Sequence, residues 1–583
     1  MEYLNDYSSR SDLSDKYVNN SLLLYALQLR FNIDDIHSVA SDSLTDGGDD
    51  KKCDLIYIDR DNGFAIVAQG YMKQNPQESD LAPSNKASDL NTASAWIFSS
   101  NMDNIPERIK EQVTLLRTSI LDGLISKVYF WYVHNLNERN NPVVSEELTT
   151  MASNANSAVK MNFPDNEVEV FAVEVGNETI EKWYTASNKY IALTDKYDVE
   201  TANVGFELTS DKWRAYVTAV SSKWLQHIYS QHKDDLFSGN PRNYLGSGKK
   251  KNKINLGIKE SIISEPNNFW AYNNGITALV NDYALDENTK HLISITGITV
   301  INGAQTTGAI GSLGEETKDA WVPIRFIVCR DDKIIEEIIA NNNKQNEILP
   351  SDLRSNDATQ NRLRQEFEKF PNYFYSGGRR GELNPYRSKE IFDPYLVAQS
   401  LLSFHGDCVT AYNSKNELWN DDKIYSSIFS EQLTASHIIF VYALLRAIDY
   451  YKLVLHNKET ERTEVEGKQY TFLSKRGSKM LLIYTIAKCM EGVIGKRITN
   501  SWGMRFKNTT NFETLYNLWL KVVKSVLPMS VSSLESVLVE GLKNKEKAEN
   551  AADSVVGMFA AIQELVRMQV ADFIDNIEIE STL

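Results

Sequence analysis

Positive charge is scarce in this 583-residue chain, which has 62 lysines and arginines against 78 aspartates and glutamates. The formal net charge is −16. Because attraction to DNA depends on lysine and arginine neutralising phosphates, this balance disfavours a protein that coats nucleic acid non-specifically. A basic groove on an acidic body is still compatible with it.

Cysteine and long apolar runs are scarce as well. The four cysteines, Cys53, Cys329, Cys408 and Cys489, have no paired spacing, which argues against a disulfide framework and a cysteine zinc site. No stretch approaches the apolar length of a membrane helix, and residues 1–16 are too polar for a signal peptide. We therefore expect a cytoplasmic protein without a membrane-bound part. The 42% of hydrophobic residues is typical of a folded protein, and the length predicts about two to four domains.

Two Asn-Gly phrases mark the least ordinary stretch, residues 266–311. The second, Asn302-Gly303, ends a run rich in β-branched residues and predicts a strand, a loop and a helix. A helix start presents unpaired N–H groups, so anion or nucleotide binding is chemically reasonable. A plain turn with a polar cap is the alternative for each phrase taken singly. The candidate ligand-binding residues here are Asn273, Asn274, Asn302, Gln305 and Thr306.

Further amide and guanidinium side chains lie on either side of this stretch. A predicted strand, 321–329, leads to a helix that ends in three asparagines, and an aromatic phrase at 373–375 precedes two arginines. Amides can read base edges or sugar hydroxyls, and guanidinium groups can pair with phosphate. Solvated loops are the alternative for the charged phrases. The candidates from these segments are Arg242, Asn342, Gln345, Arg379 and Arg380.

In their order, the phrases at residues 272–277, 301–306, 340–345 and 352–357 resemble the abortive-infection phage-resistance (AIPR) family. The resemblance extends from Asn240 to the early 400s. It implies a bacterial antiphage-defence protein with a central α+β AIPR domain, which we place at residues 201–400. From the amide and guanidinium side chains we expect nucleic acid or a nucleotide as the partner, and the defence role is compatible with a phage-derived trigger.

The N-terminal region predicts a hairpin with polar residues at its open end. Residues 54–59 alternate between apolar and polar, 61–63 turn the chain, and 64–68 return to Gln69. An acidic residue starting one strand and a polar residue ending its partner is the geometry of the PD-(D/E)xK nuclease core, where carboxylates hold a divalent metal. Together with further strands and helices, this predicts an α/β restriction-endonuclease-like domain at residues 1–200.

Many AIPR proteins resemble such nucleases at this point, and the resemblance gives each position a role. Asp54 takes the aspartate position, as the metal ligand, and Gln69 the glutamine position; Tyr71 stands at the lysine position. Lys73, two residues on, faces the same side of an extended strand. The predicted catalytic residues are therefore Asp54, Gln69 and Lys73, with Mg²⁺ or Mn²⁺ as cofactor. The substituted lysine leaves two interpretations open: a metal-dependent nuclease, or a non-catalytic sensor with a vestigial nuclease fold that binds nucleotide or nucleic acid.

Residues 401–583 predict a mainly helical region that packs on the core or on a second copy, which is compatible with a homodimer. A hairpin is expected within it at residues 456–473. Nearer the N-terminus, the pattern predicts a loop at 76–91 and one helix over 212–232.

Overall fold

The computed structural model describes residues 1–188, 191, 193–237, 249–313, 319–343, 351, 354–355, 357–378, 389–458, 461–539 and 541–580. Four candidates, Arg242, Gln345, Arg379 and Arg380, lie outside the described residues. The chain divides into two compact units. The first unit is Met1–Ile33, Ser43–Glu347 and Gly381–Pro385, and the second is Asp34–Asp42, Ile348–Arg380 and Tyr386–Leu583.

Strands and helices are numbered here in chain order over the described residues. The strands are β1 (Leu55–Asp59), β2 (Phe64–Tyr71), β3 (Lys127–His134), β4 (Glu169–Val175), β5 (Leu193–Asp198), β6 (Phe206–Thr209), β7 (Trp213–Ser221), β8 (Ile276–Leu279), β9 (Asp282–Leu285), β10 (Leu292–Asn302), β11 (Trp321–Cys329), β12 (Tyr373–Phe374), β13 (Glu390–Ile391), β14 (Met504–Phe506) and β15 (Ile577–Ile579). The helices are α1 (Tyr3–Ser9), α2 (Ser11–Tyr17), α3 (Ser21–Phe31), α4 (Ile36–Ser43), α5 (Ser84–Phe98), α6 (Glu107–Leu121), α7 (Pro142–Asn162), α8 (Asn177–Asn188), α9 (Ser222–His232), α10 (Lys249–Ser264), α11 (Phe269–Tyr272), α12 (Ala304–Gly311), α13 (Asp332–Asn343), α14 (Ala358–Phe367), α15 (Pro394–Phe404), α16 (Cys408–Asn413), α17 (Glu417–Asn420), α18 (Asp422–Ile428), α19 (Ala435–Lys458), α20 (Glu464–Ser474), α21 (Ser478–Ile494), α22 (Phe512–Leu538), α23 (Lys545–Gln569) and α24 (Ala571–Asn576).

The first sheet of the first unit has the order β1-β2-β3-β4. β1 and β2 form the predicted antiparallel hairpin, with Leu55 opposite Ala68, and β3 and β4 continue parallel to β2. Helices α5, α6 and α7 share one buried cluster with the sheet, whereas Phe31 of α3 stacks on Phe64 and Trp131 on the other face. Because both faces are covered, β2 and β3 are almost continuously apolar. The result is a three-layer α/β arrangement.

The second sheet of the first unit has the order β5-β10-β8-β11-β7-β6, with β9 also paired to β10. β8 and β11 run parallel, and the other neighbouring pairs are antiparallel. The larger core contains residues of α9, α10 and α12. On the opposite face, Ile335 and Ile339 of α13 pack on Leu279, Ile301 and Ile327.

The second unit is mainly helical, as predicted. Its long helix α19 is buried along most of its length, which is the pattern of a central core helix. A buried ion pair joins Arg446 of this helix to Asp35, at 2.7 Å, and Arg446 also contacts Glu390 at 2.8 Å. Asp35 additionally accepts a hydrogen bond from Tyr442. Neighbouring charges and donors thus lower the pKa of Asp35, although burial opposes them.

Three local predictions were wrong. Residues 213–221 form strand β7 rather than the first half of a helix, because all nine of them pair with β11 in the sheet interior. The expected hairpin at 456–473 is instead the end of α19 and most of α20. Thr463 and Glu466 cap the start of α20, because the side chain of each accepts the backbone N–H of the other. The expected loop at 76–91 contains the start of α5. The buried face of this helix includes the small residues Ala87 and Ala93, so its sequence shows no clear apolar period.

Candidate functional site

A cavity of about 700 Å³ opens beside the β1–β2 hairpin of the first unit. The loop before β1, the end of β2, the turn before α3 and the helix α5 supply its walls. The residues that line it are Asn19, Asn20, Asp46, Gly47, Gly48, Asp49, Asp50, Lys51, Lys52, Asp54, Gln69, Gly70, Tyr71, Met72, Lys86 and Thr92. Two of the three predicted catalytic residues, Asp54 and Gln69, therefore share one cavity.

Asp54 lies immediately before β1 and is tied to β2 by its backbone and its side chain. Its N–H donates to the Ala68 carbonyl at 2.9 Å, and its Oδ2 accepts from the Gly70 N–H at 2.7 Å. Burial raises the pKa of this carboxyl from 3.8 to about 7, against the opposing effect of the Gly70 hydrogen bond. The negative charges of Asp50 and Asp46 act in the same direction as burial. Asp54 can therefore change its protonation state near neutral pH, which suits a residue that binds a cation or transfers a proton.

Gln69 is 4% exposed, and its Oε1 has no hydrogen-bond partner in the described part of the chain. An unsatisfied buried acceptor costs about 1–3 kcal/mol, and native proteins contain few of them. An amide oxygen of this kind, in the same cavity as a carboxylate, is a suitable ligand for a hard cation such as Mg²⁺. Asp54 and Gln69 therefore bring a carboxylate and a buried amide oxygen to the wall of one cavity.

The cavity is also lined by Lys86, a lysine that the sequence did not predict. Lys73 pairs with Asp80 at 2.6 Å and is not among the residues that line the cavity. Lys86, near the start of α5, lines it and has no ion pair within the described residues. The positive charge of Lys86 also opposes the rise in the pKa of Asp54. No sequence signal identifies Lys86, because residues 76–91 lack an apolar period.

The described residues offer few side chains that could bind one metal ion together. Among the described residues, no group of three or more His, Cys, Asp or Glu side chains could hold a metal ion. Mg²⁺ in phosphoryl-transfer sites commonly takes only one or two carboxylates, and water and substrate phosphates complete its shell. One carboxylate and one unpartnered amide oxygen fit a cation held in that way, and they do not form a cage that would bind it tightly without substrate.

In the second sheet, the two Asn-Gly turns pack against each other. Gly303 has φ +91° and Gly275 has φ +80°, both in the region that favours glycine. A Cβ on Gly303 would lie 2.9 Å from the Gly275 carbonyl oxygen, which is closer than packing tolerates. Gly303 is therefore required for this contact between the two loops, whereas a Cβ on Gly275 would lie 2.7 Å from the Pro323 carbonyl oxygen.

Three of the predicted ligand-binding residues have internal partners. Asn273 accepts the Gly275 N–H at 2.8 Å and donates to the Thr306 hydroxyl at 3.2 Å, so both side chains fix the turns. Asn342 donates to the Ile338 carbonyl at 2.8 Å, one turn earlier in α13. These contacts give Asn273, Thr306 and Asn342 structural roles.

Asn274, Asn302 and Gln305 differ from those three. Within the described residues, their side chains have no hydrogen-bond partner, and Asn274 is exposed. Asn302 lies opposite Thr277 in the sheet, one strand away from Arg325. The side-chain amides of these three residues therefore make no hydrogen bond within the described part of the protein.

Residues 237–530, half of the chain, match the family described as AIPR protein. The chain belongs to this family. The match extends past the phrases noted in the sequence and into the helical second unit. Membership indicates a role in antiphage defence by abortive infection.

Comparison with curated proteins and with solved structures gave no match. Over the described residues, no helix combines the length and the apolar character that crossing a membrane requires.

Proposed function

We propose that this protein is a metal-dependent phosphodiesterase that cleaves nucleic acid during antiphage defence, at the cavity of the first unit. The observation that carries the proposal is that one cavity is lined by Asp54 and by Gln69, whose buried Oε1 has no partner in the described part of the chain. A restriction-endonuclease-like domain is part of the proposal. Its support is the α/β arrangement in which the β1–β2 hairpin carries an acidic residue at one strand and a glutamine on the other.

Each residue has a separate task in this proposal. Asp54 and Gln69 hold Mg²⁺ or Mn²⁺, and the Gly70 N–H orients the carboxylate of Asp54. The cation, when bound, supplies an activated water and neutralises phosphate charge. Lys86 supplies the further positive charge beside the phosphate. Lys73, the residue expected from the sequence, is the competing assignment for this role.

Cleavage of supercoiled plasmid, single-stranded DNA and total RNA, with and without Mn²⁺, tests the proposal. We expect metal-dependent cleavage that is lost in Asp54→Ala and reduced in Gln69→Ala. Asp165→Ala is the control, because Asp165 is exposed in the same unit and has no ion pair within the described residues. Retained cleavage in Asp54→Ala would refute the site, and absence of cleavage by the wild type would favour the second candidate function below.

The same assay separates the two lysines. Lys86→Ala is expected to lower the rate by about 10²-fold or more, as the loss of an electrostatic contact to a transition state usually does. Lys73→Ala is expected to leave the rate nearly unchanged, because its ammonium group is engaged by Asp80. The reverse order of effects would assign the role to Lys73.

A non-catalytic sensor that binds nucleotide or nucleic acid through the second sheet is the second candidate function. The observation that favours it is the set of unpartnered amides of Asn274, Asn302 and Gln305 on the two packed turns. Such a sensor binds its ligand in EDTA, whereas the phosphodiesterase needs a metal.

A further inference from the structure

We propose that Arg325 is the phosphate-binding residue of a nucleotide site on the second sheet. The proposal deepens the sensor function and rests on it. It does not depend on cleavage at Asp54. Its ligand is defined by chemistry: a phosphate group attached to a nucleoside, either as a free nucleotide or as part of a single strand.

Arg325 is an exposed side chain on β11 that neutral groups hold in place. Its Nε and Nη2 donate to the Thr277 hydroxyl at 3.2 and 2.7 Å, and Nη2 also donates to Asn342 Oδ1 at 3.0 Å. Thr277 is 2% exposed, so its position is set by the sheet. The guanidinium is thus fixed along one edge, and Nη1 has no partner among the described residues.

The charge of Arg325 is not neutralised within the described part of the chain. Two other arginines on strands pair with carboxylates: Arg214 with Asp282, and Arg505 with Glu578 at 2.7 Å. Arg325 has only uncharged partners, although the chain as a whole is acidic. A fixed guanidinium that retains its full charge suits bidentate phosphate binding, because most of its rotamer entropy is lost before the ligand arrives.

Exposed aromatic side chains lie on α11, the helix that precedes the first Asn-Gly turn. Trp270 and Tyr272, on α11, are 58% and 60% exposed, although large apolar side chains are usually buried. α11 packs against β11, the strand of Arg325, and the following Gly275 approaches the backbone of Pro323, two residues before Arg325. An exposed ring can stack on a base.

Asn302 and Asn274 have side-chain amides without partners in the described residues, and such amides can bond the base and sugar of a nucleotide. Asn302 is adjacent to Thr277 in the sheet, and Asn274 lies two residues after Tyr272. Amide groups bond base edges and sugar hydroxyls, whereas a simple anion would need neither amides nor a ring. A phosphate contact, a stacking surface and hydrogen-bonding amides together match the three parts of a nucleotide.

Binding of ATP, inorganic phosphate and a single-stranded oligonucleotide to the full-length protein tests the proposal. Calorimetry in EDTA prevents metal-dependent cleavage, so failure of the cavity in the first unit would not affect the result. We expect Arg325→Gln to weaken ATP binding about tenfold or more, the usual effect of losing a charged hydrogen-bond pair. Binding of the oligonucleotide but not ATP would assign the phosphate to a strand, and the same loss is then expected for that probe.

Matched variants separate a binding role from a structural one. Arg330→Gln removes an exposed arginine near the end of the same strand and is expected to leave binding unchanged. Trp270→Ala is expected to weaken ATP about fivefold or more and to leave inorganic phosphate unaffected. Thr277→Val, which removes the acceptor of the guanidinium, should weaken binding less than Arg325→Gln does. Arg325→Lys, which keeps the charge, should recover part of the affinity and provides a second test if the glutamine variant unfolds.

Three results would overturn the proposal. They are wild-type protein that binds none of the three probes, equal binding by folded Arg325→Gln and wild type, and an equal loss in Arg330→Gln. The last of these would show that general charge, and not the held guanidinium, attracts the ligand.

Discussion

Replacing Asp54 by asparagine is expected to stabilise the metal-free protein at alkaline pH. Burial is the main reason why the pKa of this carboxyl rises from 3.8 to about 7. A carboxyl with a higher pKa in the folded state binds its proton more tightly when folded than when unfolded. Stability therefore decreases as the pH rises from about 4 to about 7, and the full cost of the ionised group is present above pH 7.

The size of the effect follows from the shift in the pKa. About three pKa units correspond to about 4 kcal/mol, and entry of water around the ionised carboxylate would reduce this to about 2 kcal/mol. The asparagine oxygen can still accept the Gly70 N–H, so the main change is the loss of charge. We expect Asp54→Asn to raise the free energy of unfolding of the first unit by about 2 to 4 kcal/mol near pH 8 and to have little effect near pH 4.

Amide hydrogen exchange measures this locally, which matters in a chain of two compact units. Peptides from β2 and β3 should exchange more slowly in Asp54→Asn than in the wild type, in EDTA and at matched pH. Asp165→Asn, at an exposed position in the same unit, should leave their exchange unchanged. Equal protection in both proteins at high pH, or a gain that does not vary with pH, would refute the reasoning, because charge burial would then not be the cause.

Three further predictions concern other parts of the chain. Gly303→Ala should lower the melting temperature, because φ +91° and the close backbone contact both oppose a Cβ, whereas Gly257→Ala, with open space in a helix, should not. Asp35→Ala should destabilise the second unit by about 3–5 kcal/mol in urea unfolding, because it removes one partner of the buried Arg446. A thiol reagent applied to the native protein should modify Cys329 first, because the other three cysteines are buried and burial raises the pKa of each of their thiols. Mass spectrometry of the labelled peptides identifies the site, and rapid labelling of Cys53 would contradict the prediction.

The β1–β2 hairpin could be predicted from sequence because its signals are local. Alternation in residues 54–59 and the turn at 61–63 specify two strands, and their pairing places Asp54 near the end of the second strand. Lys86 could not be found in this way. It comes from a helix about 17 residues beyond Gln69, whose small buried side chains give no clear period, and only the tertiary fold brings it to the cavity.

Errors over longer elements have a similar cause. Residues 213–221 contain alanines and aromatic residues that are compatible with a helix, and pairing with β11 along the whole strand decides in favour of β7. By contrast, Thr463 and Glu466 form a capping box that can be read from the sequence and that marks the start of α20. The prediction of a hairpin at residues 456–473 was wrong although this capping box is present in the sequence.

Amide composition marks the central stretch as a candidate site but does not say which of its residues are available to a ligand. Asn273 and Asn342 use their side chains inside the fold, whereas Asn274 and Asn302 have no such contacts in the described residues. The same residue type serves both purposes, and only hydrogen-bond partners distinguish them. Arg325 lies within the predicted strand 321–329, and the role proposed for it rests on its uncharged partners rather than on its spacing.

The net charge of −16 is compatible with the two proposed phosphate-binding sites, because each of them depends on a single local cation. Neither Lys86 nor Arg325 forms an ion pair within the described residues. An acidic body repels a nucleic acid at long range, so affinity must come from a few short contacts. Since each neutralised phosphate adds about one unit to the salt dependence of binding, a site built on one arginine should show a slope near one, far below that of a protein that coats DNA. A mononucleotide or a short single strand fits such a site better than a long duplex, and the charge composition that excludes a coating protein leaves this kind of recognition open.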